Sequence, residues 1–314
     1  MNAIILNGFG GVNNLEIIDL PMPVISENDV LIKVRSFSIN PVDIKTRKGR
    51  GLASRLKEDN PMILGWDISG SVINTGKSVT LFKKGDEVFG MINFPGHGKA
   101  YAEYVAAPAL HLALKPGAVS YEESAAASLA ALTAWQILKE KTKIKPGDRV
   151  LIHSAAGGVG HYAVQMSKHL GAYVIGTSSA ENREFVLNLG ASEHINYKEK
   201  LFENAVSDID FVLDTIGGDY IDRSLKVLKP GGTIISIPSG ESESVKEKAK
   251  AAGAIGDTFR VRSDGRGMME IAEMLEKKII RSHISKIFEF GDIRAAHQHI
   301  ETGKTKGKIV VTIS

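Results

Sequence analysis

The stretch 149-RVLIHSAAGGVGHYAVQMSKHLGA-172 determines which architecture the chain can adopt, because three kinds of sequence follow one another in it without a break. RVLIHSA is an apolar run of strand length, and the AAGGVG after it is a turn rich in glycine. HYAVQMSKHLGA then places apolar residues three and four positions apart, at 163, 166 and 170, as a helix does. The stretch therefore predicts a buried strand, a tight turn and a helix, in that order.

The glycine turn within this stretch is typical of a dinucleotide-binding site. A pyrophosphate needs backbone close to it without side chains in the way, and a helix N-terminus offers N–H groups and the positive end of the dipole. Gly157 and Gly160 match the second and third glycines of that pattern, and Ala155 stands where the first would be. The fingerprint is incomplete, and a glycine turn that serves only chain packing is the alternative.

The next predicted strand, 173-YVIGTSS-179, indicates which dinucleotide would bind. A site for NAD would end this strand with an acid that binds the ribose 2′-hydroxyl. Here the strand ends in Thr177, Ser178 and Ser179, and Arg183 follows one helical turn later. Hydroxyls and a guanidinium accept a 2′-phosphate, which an aspartate would repel. We therefore predict NADPH as the cofactor, and an exposed helix charge is the alternative for Arg183.

The pattern of apolar residues changes near residue 120. Before it, short apolar runs such as AIIL and DVLIKVRSFSI are cut by glycine and proline, which predicts short strands of an irregular β domain. After it, an alanine-rich helix is predicted over 121–142, and strands then alternate with helices such as 220–232 as far as about residue 280. This alternation predicts a parallel sheet with helices on both faces. The tail ends in GKIVVTIS, a last strand that can rejoin the first domain.

The composition narrows the class of protein. A chain of 314 residues is expected to form two domains. Its 39 basic and 36 acidic residues are too nearly balanced to imply a nucleic-acid or membrane partner. With no basic leader and no apolar run of about 20 residues, we predict a cytoplasmic location. The chain has no cysteine, which excludes disulfides, thiol nucleophiles and thiolate metal sites.

Several further motifs accompany the glycine turn, namely INPVDIKTRKG, KKGDEVFG, LTAWQIL and GKIVV. With them the chain resembles the medium-chain dehydrogenases/reductases, and within that family the zinc-free quinone oxidoreductases related to zeta-crystallin and the plant alkenal and enone reductases. The resemblance implies an α/β fold in which residues 1–122 and 279–314 form a GroES-like catalytic domain. Residues 123–278 would form a doubly wound, parallel-sheet Rossmann domain that binds NADPH. It also implies a catalytic cleft between the domains and a homodimer.

The resemblance bears on metal binding as well. Zinc-dependent members hold catalytic zinc with an early cysteine, a GHE stretch and a further cysteine. In this sequence Asn40 takes the place of the first cysteine, and Gly65-Trp66-Asp67 stands where GHE would be. His297 and His299 lie two positions apart on a predicted helix and point in different directions. We predict no metal site.

Three catalytic residues are implied by the INPVDIK motif. In quinone reductases of this type the asparagine of an NxxD motif lies near the nicotinamide, so Asn40 is the leading candidate, and Asp43 is expected to brace the loop. Lys45 stands where quinone reductases often have a tyrosine, as in the enone-reductase branch, and it can donate to the carbonyl oxygen of an enone. The alternative is a solvated loop lysine beside Arg47 and Lys48. No residue of the sequence has to be the proton donor, and water can serve.

Further positions of the family pattern imply contacts with the cofactor. They belong to the glycine turn, to the ends of the second and third Rossmann strands, and to two later segments whose backbone would hold the carboxamide. Lys308 is expected to reach the phosphate side, with a strand-flanking surface lysine as the alternative. The predicted cofactor-binding residues are Thr133, Ala156, Gly157, Gly158, Val159, Gly160, Ser178, Ser179, Arg183, Tyr197, Thr215, Ile216, Gly217, Pro238, Ser239, Phe259, Val261 and Lys308.

Together these features predict a zinc-free reductase that transfers a hydride from NADPH to quinones or α,β-unsaturated carbonyl compounds such as alkenals and enones. Such acceptors are already electrophilic, and the charge that develops on their oxygen needs only a hydrogen-bond donor or a cation. Two alternatives stay open. One is reduction of an enoyl thioester, for which Tyr101 is a candidate donor by residue type. The other is an NADPH-binding sensor or RNA-binding protein, for which a basic patch with interleaved aromatic residues would be the sign.

Overall fold

The computed structural model describes residues 1–58, 60–238 and 242–313. Within these ranges the chain forms two compact units, Met1–Leu132 together with Val261–Ser314, and Thr133–Arg260. Each unit contains a large sheet, and the sheet of the second unit is entirely parallel with helices between its strands. The predicted α/β class is confirmed. The predicted domain bounds, 1–122 with 279–314 and 123–278, stay a prediction.

The helices and strands follow one another in three groups along the chain. The first group is β1 (Asn2–Leu6), β2 (Leu15–Asp19), β3 (Asp29–Ser38), α1 (Pro41–Arg47), α2 (Ala53–Leu56), β4 (Asp67–Thr75), β5 (Glu87–Met91), β6 (Tyr104–Pro108), β7 (Leu112–Leu114), α3 (Tyr121–Ala126) and α4 (Leu129–Glu140). The second is β8 (Arg149–Ile152), α5 (Gly160–His169), β9 (Tyr173–Ser178), α6 (Arg183–Asn188), β10 (Glu193–Asn196), β11 (Ile209–Asp214), α7 (Asp219–Leu225), β12 (Leu228–Ser236), α8 (Ser242–Ala251) and β13 (Ile255–Thr258). The third is α9 (Gly265–Glu276), β14 (Ile284–Glu289), α10 (Ile293–Glu301) and β15 (Lys308–Thr312).

β3 is the centre of the sheet in the first unit. The strand order is β14-β15-β3-β4-β5-β7, and β6 pairs with the first half of β3 while β15 pairs with its last residues. Val30, Ile32 and Val34 alternate with half-buried residues and are fully buried, as expected for a strand with one face in a core. The pairing of β15 with β3 brings the end of the chain beside the start of α1.

The second unit is a parallel sheet in the order β10-β9-β8-β11-β12-β13. The chain leaves β8 toward β9 on one side and returns to β11 on the other, so the strand order reverses between β8 and β11. Ligands of open α/β sheets bind beyond the carboxyl ends of the strands at such a reversal. The glycine turn lies at that point, directly after β8.

One predicted helix is wrong: residues 121–142 form α3 and α4 rather than a single helix. The backbone N–H of Leu129 donates to Asp67 Oδ1 at 2.8 Å, so a buried carboxylate takes an amide that a continuous helix would give to the carbonyl four residues earlier. The carboxylate thereby caps the start of α4. Similarly, β12 begins at Leu228, within the stretch 220–232 that was predicted to be helical.

α8 contains the basic stretch 247-EKAK-250. Val245 and Ala249 are buried, and the charged residues 246–248 between them are exposed or half-buried. In the described part of the chain, no helix is long and apolar enough to span a bilayer.

Candidate functional site

The turn between β8 and α5 has the tight backbone packing that a phosphate-binding turn requires. A Cβ atom on Gly160 would lie 2.2 Å from the carbonyl oxygen of Ser154, and one on Gly157 would lie 2.8 Å from Ser154 Oγ. Both distances are too short for a real side chain. Residues 157–159 are half-exposed, so the turn is packed beneath and accessible above. It fits a pyrophosphate at the N-terminus of α5.

The missing first glycine is explained by a neighbouring strand. Ala155 is buried, and its N–H donates to the carbonyl oxygen of Thr177 at 2.9 Å. A Cβ on Gly176 would lie 2.8 Å from the Ala155 methyl and 2.6 Å from Val186 Cγ1. The position that must lack a side chain is therefore in β9, where Gly176 leaves room for the methyl group of Ala155.

The hydroxyls at the end of β9 have separate partners. Thr177 Oγ1 is 3.1 Å from His153 Nδ1 in the interior, where burial lowers the pKa of His153 to about 4. The Ser179 hydroxyl donates to Glu181 Oε1 at 3.0 Å and accepts from Asn182 Nδ2 at 3.1 Å. These contacts close the turn into α6.

Ser178 pairs with a residue that the sequence analysis did not identify. Its Oγ lies 2.7 Å from His194 Nε2 in β10, and Arg183 is exposed at the start of α6. The signal that could have found His194 is the two-residue period of a strand, because His194 and Asn196 share the face opposite Ile195. The structure thus brings Ser178 together with His194, and the charge of the predicted Arg183 acts on that histidine.

The segment after β11 is shaped by Asp214. Its Oδ1 accepts the N–H groups of Ile216 and Gly217 at 2.9 and 3.0 Å, and the Thr215 hydroxyl donates to the carbonyl oxygen of His153 at 3.1 Å. Gly217 has a φ of +81°, which favours glycine. Thr215, Ile216 and Gly217 therefore form a fixed turn at the carboxyl end of β11, next in the sheet to the strand that carries the glycine turn.

The other predicted cofactor residues differ in their exposure to solvent. Thr133 and Val261 are buried, Pro238 and Phe259 are half-buried, and Tyr197 is exposed just after β10. The Tyr197 N–H donates to the carbonyl oxygen of Ser178 at 3.3 Å, which places its backbone at the end of β9. Ser239 lies outside the described residues. All of these positions stay predictions.

Two of the three catalytic candidates, Asn40 and Asp43, belong to a buried polar cluster in the first unit. Asn40 precedes α1, and its N–H donates to Asp43 Oδ2 at 2.6 Å while the Asp43 N–H donates to the Asn40 carbonyl at 3.0 Å. The Asn40 side chain donates through Nδ2 to Asp67 Oδ2 at 2.8 Å and accepts through Oδ1 from Lys308 Nζ. Asn40, Asp43, Asp67 and Lys308 are each at most 3% exposed. Both polar ends of the Asn40 amide are thus bound inside the unit, which makes it a residue that positions α1.

Burial dominates the titration of this cluster. It raises the pKa of Asp43 to about 8, with the Asn40 N–H acting in the opposite direction. It also raises the pKa of Asp67, against the Lys308 charge and the hydrogen bonds from Asn40, Ser38 and Leu129, and it lowers the pKa of Lys308. The ammonium and the two carboxyl groups therefore depend on one another for their charge states.

The predicted role of Lys308 at the cofactor phosphates is corrected by this geometry, as is the alternative of a surface lysine. Its Nζ donates to the Asn40 amide and, at 3.2 Å, to the carbonyl oxygen of Ile39, and it lies 3.9 Å from Asp67 Oδ2. At 3% exposure it is neither a surface lysine nor open to a phosphate in solvent. The pairing of β15 with β3 carries it there.

The same cluster does not fit a zinc ion. Of Asn40, Trp66 and Asp67, which stand at the positions where zinc-dependent relatives ligate metal, only Asp67 offers a carboxylate, and its oxygens already accept from Ser38, Asn40 and Leu129. In the described ranges no three His, Cys, Asp or Glu residues are grouped as a metal site would require.

A second buried group adjoins Asp43 and includes Tyr101, the candidate donor of the enoyl-thioester alternative. Arg47 is 1% exposed and pairs with Glu301. The Tyr101 hydroxyl lies 3.1 Å from His297 Nε2, and the Tyr101 ring stacks on Phe37 at 4.6 Å between centroids. Burial and the Arg47 charge lower the pKa of His297 to about 3. Tyr101 is fully buried, so a role as a donor to substrate has no support in its position.

Lys45 differs from these neighbours. It is half-buried in the last turn of α1 rather than in a loop. No ion pair or hydrogen bond of its ammonium is formed with the residues that the structure describes. Lys45 therefore keeps its donor capacity.

Two family models match the chain. The alcohol dehydrogenase GroES-like domain matches residues 26–117, and the zinc-binding dehydrogenase model matches residues 189–311. The second description names a metal that the residues of this chain do not fit.

Whole-length relatives agree with these matches. The chain is 32% identical to 2-methylene-furan-3-one reductase of Solanum lycopersicum, over 99% of this chain and 79% of that protein. It is 31% identical to the chloroplastic NADPH-dependent alkenal/one oxidoreductase of Arabidopsis thaliana, over the same shares of the two chains. Among solved structures, the quinone oxidoreductase of Coxiella burnetii is 38% identical, with a TM-score of 0.95 and coverage of 100% of this chain and 99% of the other.

Proposed function

The chain belongs to the medium-chain dehydrogenase/reductase family, and on that premise we propose that it is an NADPH-dependent reductase of α,β-unsaturated carbonyl compounds and quinones. The observation that carries the proposal is the end of β9. Ser178 and Ser179 stand where an NAD site has an acid, and the exposed Arg183 follows them. The strand end itself carries no acid, and the carboxylate of Glu181, which follows it, accepts from the Ser179 hydroxyl.

Residues of the second unit would hold the cofactor. The glycine turn at 156–160 and the N-terminus of α5 fit the pyrophosphate, Ser178 and Arg183 fit the 2′-phosphate, and the turn at 215–217 fits the ribose and ring side. When bound, NADPH supplies a hydride, and the protein contributes position and electrostatics. Gly157 and Gly160 keep the turn free of side chains, which lets backbone N–H groups approach a phosphate.

Residues of the first unit would act on the acceptor. Hydride addition to a carbon of an enone or quinone moves negative charge onto its oxygen, and a donor at that oxygen lowers the barrier. We assign this donor role to Lys45 Nζ. Asn40 and Asp43 close the first turn of α1, and Lys308 fixes the Asn40 amide, so they set the direction in which α1 presents Lys45.

The alkenal and enone branch is favoured by the residues and by the relatives together. Lys45 stands where quinone reductases often have a tyrosine, and the two curated relatives above act, by their names, on a methylene-furanone and on alkenals or enones. The solved structure with a TM-score of 0.95 is a quinone oxidoreductase, so quinones stay within the proposal. The homodimer and the cytoplasmic location stay predictions.

Turnover with purified protein tests the proposal. NADPH oxidation is followed after treatment with a chelator, with a 2-alkenal, a cyclic enone and a quinone in parallel, and the series is repeated with NADH. We expect turnover that prefers NADPH and survives the chelator. Tight NADPH binding without consumption of any acceptor would refute the reductase and favour an NADPH-binding sensor. Turnover of an enoyl thioester alone would change the substrate class from enones and quinones to enoyl thioesters.

A further inference from the structure

His194 and Ser178 share one face of the sheet edge in the second unit. β9 and β10 are parallel, with His194 opposite Gly176 and Asn196 opposite Ser178. Ile175 and Ile195 point to the other face and belong to its hydrophobic core. The alternation of a strand therefore directs Ser178 and His194 to the same side, which is also the side of α6, because the missing side chain of Gly176 faces Val186.

The hydrogen bonds of Ser178 link its hydroxyl to the protonation of His194. Ser178 Oγ donates to the carbonyl oxygen of Ser179 at 3.2 Å, and a hydroxyl has only one hydrogen to give. His194 Nε2 lies 2.7 Å from Ser178 Oγ, and which of the two donates depends on the tautomer of the ring. In the imidazolium both ring nitrogens carry a hydrogen, so Nε2 then donates to Oγ. In this arrangement Ser178 is held as an acceptor by the imidazole, and its hydroxyl hydrogen can turn from the Ser179 carbonyl to another acceptor without loss of the histidine bond.

Arg183 is the charged residue that acts on His194, and the carboxylate of Glu181 accepts from the hydroxyl of the neighbouring Ser179. Burial lowers the pKa of His194, and the charge of Arg183 from α6 lowers it further. From β9 the imidazole faces the uncharged Ser178. Arg183 is exposed and His194 is half-buried, so a ligand that reaches one can reach the other. A dianion bound here would reverse the sign of the local field and favour the imidazolium.

We propose that His194 is a specificity-determining residue for the 2′-phosphate of NADPH: it presents the Ser178 hydroxyl to the phosphate and takes up a proton when the phosphate binds. The inference rests on the proposed NADPH-dependent function and adds to it a residue and a pH dependence. Arg183 supplies the permanent charge of the site, and His194 supplies one that the ligand induces.

The sign of the pH dependence follows from linkage. The free protein has a His194 pKa below its ordinary value, and the bound dianion raises it. A group whose pKa is raised in the bound state adds affinity below that raised pKa, and the added affinity is lost as the pH rises through it. One proton changes affinity by at most about tenfold per pH unit, so binding should tighten about threefold to tenfold from about pH 8 to about pH 6.5. This window lies above the second pKa of the phosphate itself, which is about 6.

The probes 2′,5′-ADP and 5′-AMP isolate the phosphate, because they differ in it alone. Their dissociation constants are measured by calorimetry across that pH window for the wild type, for His194→Gln, which keeps an N–H donor but cannot be protonated, and for His169→Gln as a matched control. His169 is an exposed histidine of the same unit, at the end of α5. Thermal unfolding of each variant shows whether it is folded.

We expect 2′,5′-ADP binding to tighten as the pH falls in the wild type and in His169→Gln, a flat profile for 2′,5′-ADP in His194→Gln, and flat profiles for 5′-AMP throughout. A wild type that prefers 2′,5′-ADP with no pH dependence, or a dependence that survives in His194→Gln, would overturn the role of His194 and leave the cofactor intact. A wild type that does not prefer 2′,5′-ADP at any pH would instead refute the NADPH site. Where a variant fails to fold, a wild-type profile without pH dependence still overturns the proposal.

Discussion

Replacement of Lys308 should strongly lower the stability of the first unit. Lys308→Met removes two hydrogen bonds from a charged donor, to the Asn40 amide and to the carbonyl oxygen of Ile39, and it takes away the cation 3.9 Å from Asp67. Each such bond contributes about 1.5 kcal/mol or more, and breaking a buried ion pair from one side costs about 3–5 kcal/mol. We therefore expect the free energy of unfolding to fall by about 3–5 kcal/mol at neutral pH.

The loss should depend on pH with a definite sign. Without Lys308, the pKa of the buried Asp67 carboxyl rises above its already raised value. The folded state then favours the protonated acid, so the deficit relative to wild type is largest above that raised pKa and shrinks as the pH falls through it. Lys308→Met combined with Asp67→Asn should regain at least half of the loss, because no unpaired charge is left in the interior.

Urea unfolding monitored by Trp66 fluorescence measures this loss. Trp66 is fully buried in the first unit, and Trp135→Phe removes the other tryptophan of the chain. Lys277→Met is the matched control, since Lys277 pairs with Glu273 in the same unit but is exposed, and it should leave the unfolding midpoint unchanged. A loss below about 1 kcal/mol for Lys308→Met, or a double variant as unstable as the sum of its parts, would refute the account of the cluster.

Three further predictions concern the cofactor and acceptor residues. Gly160→Ala should abolish NADPH binding, because the new Cβ would lie 2.2 Å from a backbone oxygen. Ala155→Gly should bind NADPH as the wild type does. Fluorescence titration with NADPH measures both variants, and equal effects on binding would contradict the packing argument. Arg183→Ala should raise the Kd for NADPH about tenfold or more, through loss of a charge-assisted bond. The Kd for NADH should not change, so an equal change with both cofactors would disprove the 2′-phosphate assignment. Lys45→Met should lower kcat with enones about tenfold or more. The control is Lys57→Met, which replaces an exposed lysine of the same unit and should not lower kcat. Equal steady-state rates for the two variants would show that Lys45 does not take part in the chemistry.

Local patterns account for what was predicted correctly. The strand, glycine turn and helix at 149–172 are set by residues within one short segment, as are the strand at 173–179 and its missing acid. Apolar periodicity and close backbone packing act between residues near in sequence, so they can be recognised without knowledge of the fold. The α/β class and the position of the glycine turn at a strand end follow from them.

Contacts between distant segments account for the rest. Lys308 meets Asn40 because β15 pairs with β3, and the break between α3 and α4 arises because Asp67 accepts the Leu129 N–H. Gly176 makes room for Ala155, and His194 meets Ser178, across neighbouring strands that are separated along the chain. A buried charge is stabilised, and a glycine is required, only because of the group that the fold places against that position. The apolar periodicity of either segment alone does not predict which group this is.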